Sequence, residues 1–203
     1  MPNQLEELLA NYIPQPLGEK RCFSVLLPLV WSENQWQVLY RVRSESISQP
    51  GEVSFPGGGV EEGETPQQAA VREAVEELNI QPEQIDILGE IDYLVFERST
   101  IHCFVGRLNL DWMTIVPNEE VARIFTVPLS TLLTIQPVYY QLDSNVVPEC
   151  DFPFERLRGG ISYPFSYQKR SIPFYEQLPE NIWGMTAQFT HRFTEIINQQ
   201  TSP

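Results

Sequence analysis

Residues 57–80 read GGGVEEGETPQQAAVREAVEELNI, and the rest of the chain is organised around this stretch. Glycines form a turn, and Thr65-Pro66-Gln67-Gln68 then combines a capping hydroxyl, a first-turn proline and a glutamine three residues on. These features together predict the start of a helix. Asn79 suits the left-handed cap at its end. The stretch is therefore expected to be a glycine turn that leads into a short helix.

The predicted helix has two different faces. At about 100° per residue, its glutamates fall within one arc, and alanines lie beside them. The residues of this acidic side are Glu73, Glu76, Glu77, Ala69 and Ala70. The residues of the opposite, buried side are Val71, Ala74, Val75 and Leu78. Arg72 stands four residues before Glu76, which is close enough to pair with it and orient its carboxylate.

Glutamates spaced at i, i+3 and i+4 repel one another by about 0.2–0.5 kcal/mol per exposed pair, and one neighbouring arginine offsets only part of this. A bound cation would relieve the rest. Ligands that are all oxygen select a hard cation such as Mg²⁺, which keeps several waters and is shared with substrate phosphates. The alternative is a solvated acidic face, which is the usual explanation for a charge run on a helix.

The full pattern, Gly58-x5-Glu64-x7-Arg72-Glu73-Ala74-x-Glu76-Glu77-x-Asn79-Ile80, resembles the Nudix box. That box is the signature of hydrolases that cleave nucleoside diphosphates linked to another moiety. Asn79 replaces the usual glycine and Ala74 replaces a larger aliphatic residue, but neither change removes a carboxylate. A chance match over this many fixed positions is improbable.

The resemblance implies a metal-dependent pyrophosphohydrolase that uses Mg²⁺ or Mn²⁺. The implied metal-site residues are Glu73, Glu77, Glu76, Gly58 and Glu64, with Gly58 acting through a carbonyl of its turn. Arg72 would orient Glu76. The catalytic base stays open between Glu76 and Glu120, because a loop carboxylate near the metal can deprotonate the attacking water. The alternative is that Glu119 and Glu120 are exposed loop residues without a catalytic role.

A second resemblance concerns the substrate. The stretch RVRS…PGEVSFPGG, with Arg41, Arg43 and Ser44, is similar to the signature of the coenzyme A pyrophosphatase branch of the Nudix family. Two cations and a tight turn upstream of the acidic helix suit a phosphate clamp, although the arginines are also readable as strand-edge charges. The block IWGMTA, residues 182–187, resembles the C-terminal block of the same branch.

The expected reaction converts coenzyme A or acyl-coenzyme A to 3′,5′-ADP and a 4′-phosphopantetheine. ADP-ribose or a dinucleotide is the alternative substrate. A non-catalytic Nudix-fold binding or regulatory protein is the more distant alternative, and it would be expected to have lost carboxylates that this chain keeps. With only two histidines, the chain has little basis for a histidine-rich metal site or a serine–histidine triad.

Length, net charge and cysteine content bear on the number of domains, the partners and the location of the protein. At 203 residues we expect one domain over 1–203, and the net charge of −14 argues against nucleic-acid and anionic-membrane partners. The substrate is then a small molecule held by local contacts, and the protein is expected as a monomer or homodimer. Three widely spaced cysteines are interpreted as buried thiols, and no signal peptide or membrane-length apolar run is seen. We therefore predict a cytoplasmic protein.

The remaining elements indicate an α/β protein. The predicted strands cover residues 22–31 and 36–43, which form a hairpin, then 85–96, 101–110 and a strand within 118–129. An N-terminal helix is predicted within 1–16 and a last helix from 181, with Met185, Phe189, Phe193 and Ile196 on one stripe. The resemblance implies a Nudix-type α/β/α sandwich around a mixed β-sheet.

Residues 137–180 form a segment rich in proline and aromatic residues, with arginines and a lysine interleaved. The segment is too apolar to be a free linker. We expect an extended or hairpin insertion that covers the substrate pocket, where aromatic rings stack on adenine and a cation meets a terminal phosphate. A dimer interface is the structural alternative.

Overall fold

The computed structural model describes residues 6, 9–12, 21–96, 98–143, 151–163 and 169–201. The strands are β1 (Arg21–Ser32), β2 (Gln35–Arg43), β3 (Val53–Ser54), β4 (Gly57–Gly59), β5 (Ile85–Glu90), β6 (Leu94–Val95), β7 (Ser99–Leu108), β8 (Val121–Pro128), β9 (Val138–Leu142) and β10 (Arg170–Phe174). The α-helices are α1 (Pro66–Leu78), α2 (Leu129–Leu132) and α3 (Gly184–Thr201). Short 3₁₀ turns cover Pro82–Gln84, Trp112–Thr114, Phe154–Arg156 and Gly160–Ser162.

The central hairpin of β1 and β2 forms as the sequence predicts. Its turn residues Glu33 and Asn34 both have positive φ, 54° and 59°. Two such residues in succession match the right-handed twist of paired strands. The turn fixes the register, so that Ser32 pairs with Gln35 and every following pair is determined.

The main sheet is mixed, which confirms the predicted fold class. Its path runs β3-β2-β1-β7-β5, with β1 and β7 parallel and the other strand pairs of the path antiparallel. Strand β8 pairs with β2, and β6 pairs with β7. Strand β1 shares one edge between β2, at its C-terminal half, and the glycine strand β4, at its N-terminal half. This arrangement brings the glycine turn to the middle of the sheet.

Helices cover both faces of this sheet. Alternate strand residues point to opposite sides, so Leu26 and Leu39 pack with α1, whereas Leu27 and Tyr40 pack with α3. Each fully buried leucine contributes about 1.5–3 kcal/mol of transfer free energy. The two apolar clusters hold α1 and α3 on opposite faces and produce the α/β/α sandwich.

Helix α1 begins and ends as its sequence predicts. The Thr65 hydroxyl accepts from the Gln68 backbone N–H at 3.2 Å, and the Gln68 side chain accepts from the Thr65 N–H at 2.9 Å, which completes a capping box. Pro66 occupies the first turn, where its missing N–H costs nothing. Asn79 caps the C-terminus in the left-handed conformation, with φ 52°.

The predicted faces of α1 are partly wrong. Ala69 and Ala70 are fully buried, and Glu77 is only 3% exposed, although all three were assigned to the acidic side. Val71 and Val75, predicted to be buried, are half-buried. The small alanines allow the helix to approach the sheet closely, and this rotates the buried arc toward Glu77.

Several other elements differ from their predicted limits. The strand predicted over 85–96 is interrupted after Glu90, and the β5–β7 register shifts between Ile87 and Gly89. In α3, Phe189 and Phe193 are buried as predicted, whereas Met185 is 47% exposed and Ile196 is half-buried. The buried face also contains the threonines Thr186, Thr190 and Thr194. Small hydroxyl residues at these positions made the apolar stripe incomplete in the sequence.

Some predictions fall outside the described residues. Of the predicted N-terminal helix, only Glu6 and residues 9–12 are described. Cys150 also lies outside, while Cys103 is a buried free thiol and Cys22 is half-buried rather than buried. Within the described part of the chain, no helix is long and apolar enough to cross a membrane.

Candidate active site

The glycine turn lies against the first carboxylate of α1. A Cβ on Gly58 would stand 2.3 Å from Oε1 of Glu73, and one on Gly57 would stand 2.5 Å from the Ser24 carbonyl oxygen. Real side-chain contacts are essentially never this short, so Gly57, which faces backbone, requires glycine, whereas a side chain at Gly58 would push the Glu73 carboxylate aside. Gly59, in contrast, has open space where its Cβ would be. The turn therefore closes around Glu73 at one of its three glycines.

Arg72 fastens the turn to the helix. Its Nε and Nη2 donate to the two Glu64 carboxylate oxygens at 2.9 and 3.0 Å, and Nη2 also donates to the Gly59 carbonyl at 2.9 Å. Nη1 donates to Oε1 of Glu73 at 2.7 Å. The Arg72 guanidinium holds the pKa of Glu64 below its ordinary value.

The predicted pairing of Arg72 with Glu76 is present but secondary. The closest atoms, Nη1 and Oε2, are 3.5 Å apart, and the Glu76 side chain is 56% exposed. The reason is competition, since Glu64 offers a bidentate carboxylate with better geometry from the preceding loop. Arg72 therefore positions Glu64 and Glu73 more than Glu76.

Glu77 points into the protein and meets Arg41. Nε of Arg41 lies 3.0 Å from Oε2 of Glu77, and both side chains are at most 4% exposed. The pKa of Glu77 is raised to about 8, chiefly by burial; the Glu73 and Glu120 charges also raise it, whereas the Arg41 charge and a hydrogen bond from the Gly57 backbone lower it. A cation bound at this carboxylate would favour its ionised form.

These carboxylates suit a hard divalent cation. Glu73, Glu76 and Glu77 supply oxygen donors from one helix, and Oε2 of Glu77 is buried without a hydrogen bond. In the ranges that the structure describes, no three His, Cys, Asp or Glu side chains already converge as a metal cluster. Glu73 is turned toward Arg72, so binding would require that carboxylate to reorient, whereas Glu77 meets Arg41 through Oε2.

The turn before β8 brings Glu120 to the same site. Its charge is close enough to raise the pKa of Glu77 and to act on Arg41. The Asn118 backbone N–H donates to the Glu77 carbonyl at 3.0 Å, and the Glu120 carbonyl accepts from the Ser44 N–H at 2.9 Å. Glu120 is exposed, so it is free to reach a bound water or ligand.

A cavity of about 920 Å³ opens beside the glycine turn. It is lined by Gly57 and Gly58, by Arg41 and Arg43, and by residues 49–55, 170–173 and 183–189 with only short gaps. The two arginines and both coenzyme A-like blocks thus meet around one space. Ser44 does not line it; the Ser44 hydroxyl donates to the Glu119 carbonyl at 2.7 Å and holds the turn that carries Glu120.

Part of the predicted insertion forms one side of the cavity. Strands β9 and β10 make an antiparallel hairpin, and residues 170–173 of β10 line the space. The segments 144–150 and 164–168 of the insertion lie outside the described residues. His102 is not part of the cavity lining; its Nδ1 lies 2.5 Å from Oε1 of Glu90, and its ring stacks on Tyr93.

The contacts that join the two coenzyme A-like blocks could not be predicted from spacing. Trp183 donates from Nε1 to Oε2 of Glu52 at 2.5 Å, and its ring stacks on Phe174 with centroids 5.3 Å apart. The Thr186 hydroxyl donates to the Val53 carbonyl at 3.1 Å. Both motifs were recognisable in the sequence, but only the structure shows that the two motifs are joined by hydrogen bonds.

The glycine turn, the contacts of Arg72 and the acidic helix α1 agree with a comparison of this chain with known protein families. A model of the NUDIX domain matches residues 21–148, which is more than half of the chain. The chain therefore belongs to the Nudix hydrolase family, which confirms the predicted resemblance. Members of this family act on small nucleotide derivatives and generally use divalent metal ions.

The chain is also similar to individual members of this family. The chain is 36% identical over 149 residues to the peroxisomal coenzyme A diphosphatase NUDT7 of Mus musculus, covering 70% of this chain and 62% of that protein. It is 26% identical over 185 residues to Nudix hydrolase 3 of Caenorhabditis elegans, covering 86% of this chain and 72% of that protein. The chain thus spans less than two thirds of the mouse relative.

A solved structure supports the fold. The MutT/nudix family protein from Enterococcus faecalis superposes with a TM-score of 0.52 over 98% of this chain and 70% of that one. Sequence identity in that superposition is 11%, so the likeness concerns the fold alone.

Proposed function

We propose that this chain is a metal-dependent pyrophosphohydrolase that cleaves coenzyme A or acyl-coenzyme A to 3′,5′-ADP and the corresponding 4′-phosphopantetheine. The shared cavity carries the proposal, because the Nudix box glycines and both coenzyme A-like blocks line one space of about 920 Å³. That volume is at the upper end of the range for small-molecule sites, as a long substrate requires. The name of the mouse relative, a coenzyme A diphosphatase, supports the same substrate.

The proposed metal ligands are Glu73 and Glu77, with Glu76, Glu64 and the carbonyl of the Gly58 turn completing or supporting the site. The choice is Mg²⁺ or Mn²⁺, since every donor is oxygen. Held by these residues, the cation would supply positive charge to the diphosphate and would lower the pKa of the attacking water. Arg72 keeps Glu64 and Glu73 at the turn through the hydrogen bonds described above.

In the proposed reaction, the water oxygen attacks one phosphorus of the diphosphate and the bridging P–O bond breaks, leaving two phosphate monoesters. Glu120 or Glu76 takes the proton from the attacking water. We favour Glu120 of the two, because its carboxylate acts electrostatically on Glu77 from a different element. Glu76 is engaged, at 3.5 Å, by Arg72.

The opposite side of the cavity is proposed to hold the rest of the substrate. Arg43 and Arg170 supply cations for phosphate, and Trp183 supplies an aromatic surface for adenine or the pantetheine arm. Ser44 is proposed to act indirectly, through the turn that carries Glu120. A cytoplasmic location, one domain over 1–203 and a monomeric or homodimeric state are further proposals.

The test is a substrate panel. The chain is incubated with coenzyme A, an acyl-coenzyme A, ADP-ribose and a dinucleoside polyphosphate, each with Mg²⁺ and with Mn²⁺, and products are separated by chromatography. We expect the highest kcat/KM for coenzyme A or its acyl derivative, with 3′,5′-ADP as one product. Equal or better turnover of ADP-ribose would overturn the substrate, and no turnover across the panel would overturn the reaction and favour a binding protein.

A further inference from the structure

Arg41 has an environment unlike that of a substrate-binding arginine. It is the largest of the fully buried side chains in the described part of the chain, and its exposed fraction is 2%. Arginines are almost never fully buried unless they are paired. Arg41 is therefore expected to pair with a group inside the protein.

Neighbouring groups hold the backbone and Nε of Arg41, whereas its Nη1 is buried without a hydrogen-bond partner. Its strand lies between β3, where it pairs with Ser54, and β8, where it pairs with Ile124. Its Nε lies 3.0 Å from Oε2 of Glu77 and donates to the Phe55 carbonyl at 3.3 Å. A side chain held in this way cannot follow a substrate, but it can hold a carboxylate.

Arg43, two residues further on, is placed differently. The register of the β2–β8 pairing shifts between Val42 and Arg43, and such a bulge re-aims the side chain that follows it. Arg43 is half-buried and donates from Nε to the Ser48 carbonyl at 2.6 Å. The two arginines of one motif therefore have separate surroundings, although both contribute to the cavity lining.

We propose that Arg41 is a positioning residue that fixes the Glu77 carboxylate at the metal site, and that Arg43 alone of this pair contacts substrate. The proposal rests on the proposed metal site, and it divides the coenzyme A-like motif into a part that serves the metal and a part that serves the substrate. Groups that hold a metal-binding carboxylate from behind change metal affinity by about 10- to 100-fold when they are removed.

The test measures Mn²⁺ affinity by calorimetry on the substrate-free protein, together with kinetics on two substrates. We expect Arg41→Gln to weaken Mn²⁺ binding by about 10- to 100-fold. At saturating Mn²⁺, it should change kcat/KM for coenzyme A and ADP-ribose by the same factor. Arg43→Gln should leave Mn²⁺ affinity unchanged and raise KM unequally for the two substrates. Arg107→Gln is the matched control, since Arg107 forms an exposed ion pair with Asp86 outside the cavity lining.

Unchanged or tighter Mn²⁺ binding in folded Arg41→Gln would overturn the proposal, as would a substrate-dependent change in KM. Arg41→Lys keeps the charge without the planar fork, so its Mn²⁺ affinity should fall between those of the wild type and Arg41→Gln. If melting curves show that Arg41→Gln does not fold, wild-type affinity in Arg41→Lys overturns the proposal instead. A wild-type chain that binds no Mn²⁺ would refute the proposed metal site itself.

Discussion

The two walls of the cavity are built in different ways. The near wall is Gly57 and Gly58. These two glycines begin the continuous run of residues 57–80, in which neighbours in sequence are neighbours in space, and Glu73 of that run lies against Gly58. The far wall combines residues 49–55, 170–173 and 183–189, and its hydrogen bond between Glu52 and Trp183 joins positions 131 residues apart. The proposed reaction therefore depends on residues that are close in sequence, whereas the proposed substrate specificity depends on residues that only the tertiary structure brings together.

This difference makes a general prediction about variants. Changes in the near wall should affect all substrates by similar factors, because they act on the diphosphate and the metal. Changes in the far wall should affect substrates unequally, because they act on the groups that distinguish one substrate from another.

The largest effect is expected from the catalytic base. Replacing the base should lower kcat by about 10²–10⁴-fold while Mn²⁺ affinity is retained. We expect this result for Glu120→Gln and a smaller loss for Glu76→Gln, measured by steady-state kinetics on coenzyme A. The opposite order would assign the role to Glu76. Losses below about tenfold in both variants would remove both candidates.

A glycine pair tests the near wall without touching a carboxylate. Gly58→Ala places a methyl group 2.3 Å from Oε1 of Glu73, so the carboxylate must move. We expect weaker Mn²⁺ binding in calorimetry with little change in stability, because the group that must move is the end of a flexible side chain. Gly59→Ala is the control, since nothing lies within 4 Å of its added Cβ. Equal behaviour of the two variants would contradict the close packing of the turn on Glu73.

Trp183 tests the far wall. Trp183→Leu removes both the stack on Phe174 and the hydrogen bond to Glu52. Because a ring stacked on the substrate, as proposed for Trp183, would contribute about 0.5–1.5 kcal/mol, we expect KM for coenzyme A to rise by about 2- to 10-fold, with a different factor for ADP-ribose. Trp31→Leu is the control, since Trp31 is 57% exposed and outside the cavity lining. An equal change in kcat for both substrates would argue against a far-wall role.

A separate prediction is a pH dependence of stability in the absence of divalent cations. Burial raises the pKa of Glu77 from its ordinary value of 4.5 to about 8. Below this interval the side chain is protonated in both the folded and unfolded states. As pH rises through it, the unfolded state loses its proton first, so stability falls. We expect the melting temperature of the wild type to fall relative to Glu77→Gln from pH 5 to pH 8, and parallel melting curves would contradict this.

Part of the site was predictable because its determinants are local. The capping box of Thr65 and Gln68 and the left-handed Asn79 depend only on residues a few positions away. The helical spacing of Glu73, Glu76 and Glu77 likewise follows from one element. These signals led from the sequence to the family without knowledge of the packing.

The remaining features depend on which elements meet. A helical wheel paired Arg72 with Glu76, because it does not include the loop that presents Glu64. Burial of Glu77 follows from the rotation of α1 on the sheet, and its contact with Arg41 follows from strand β2. Sequence motifs marked these residues as important but did not show which of them face one another.

The central claim is that Glu77 is part of a divalent-metal site for diphosphate hydrolysis. The most direct measurement compares wild type and Glu77→Gln for coenzyme A hydrolysis with Mn²⁺, with Glu83→Gln, an exposed glutamate beyond the end of α1, as the control. The account predicts that Glu77→Gln loses at least about 10²–10³-fold in kcat, as expected when an electrostatic group is removed from a transition-state site. It also predicts weakened Mn²⁺ binding. Wild-type hydrolysis and wild-type Mn²⁺ affinity in folded Glu77→Gln would contradict the account.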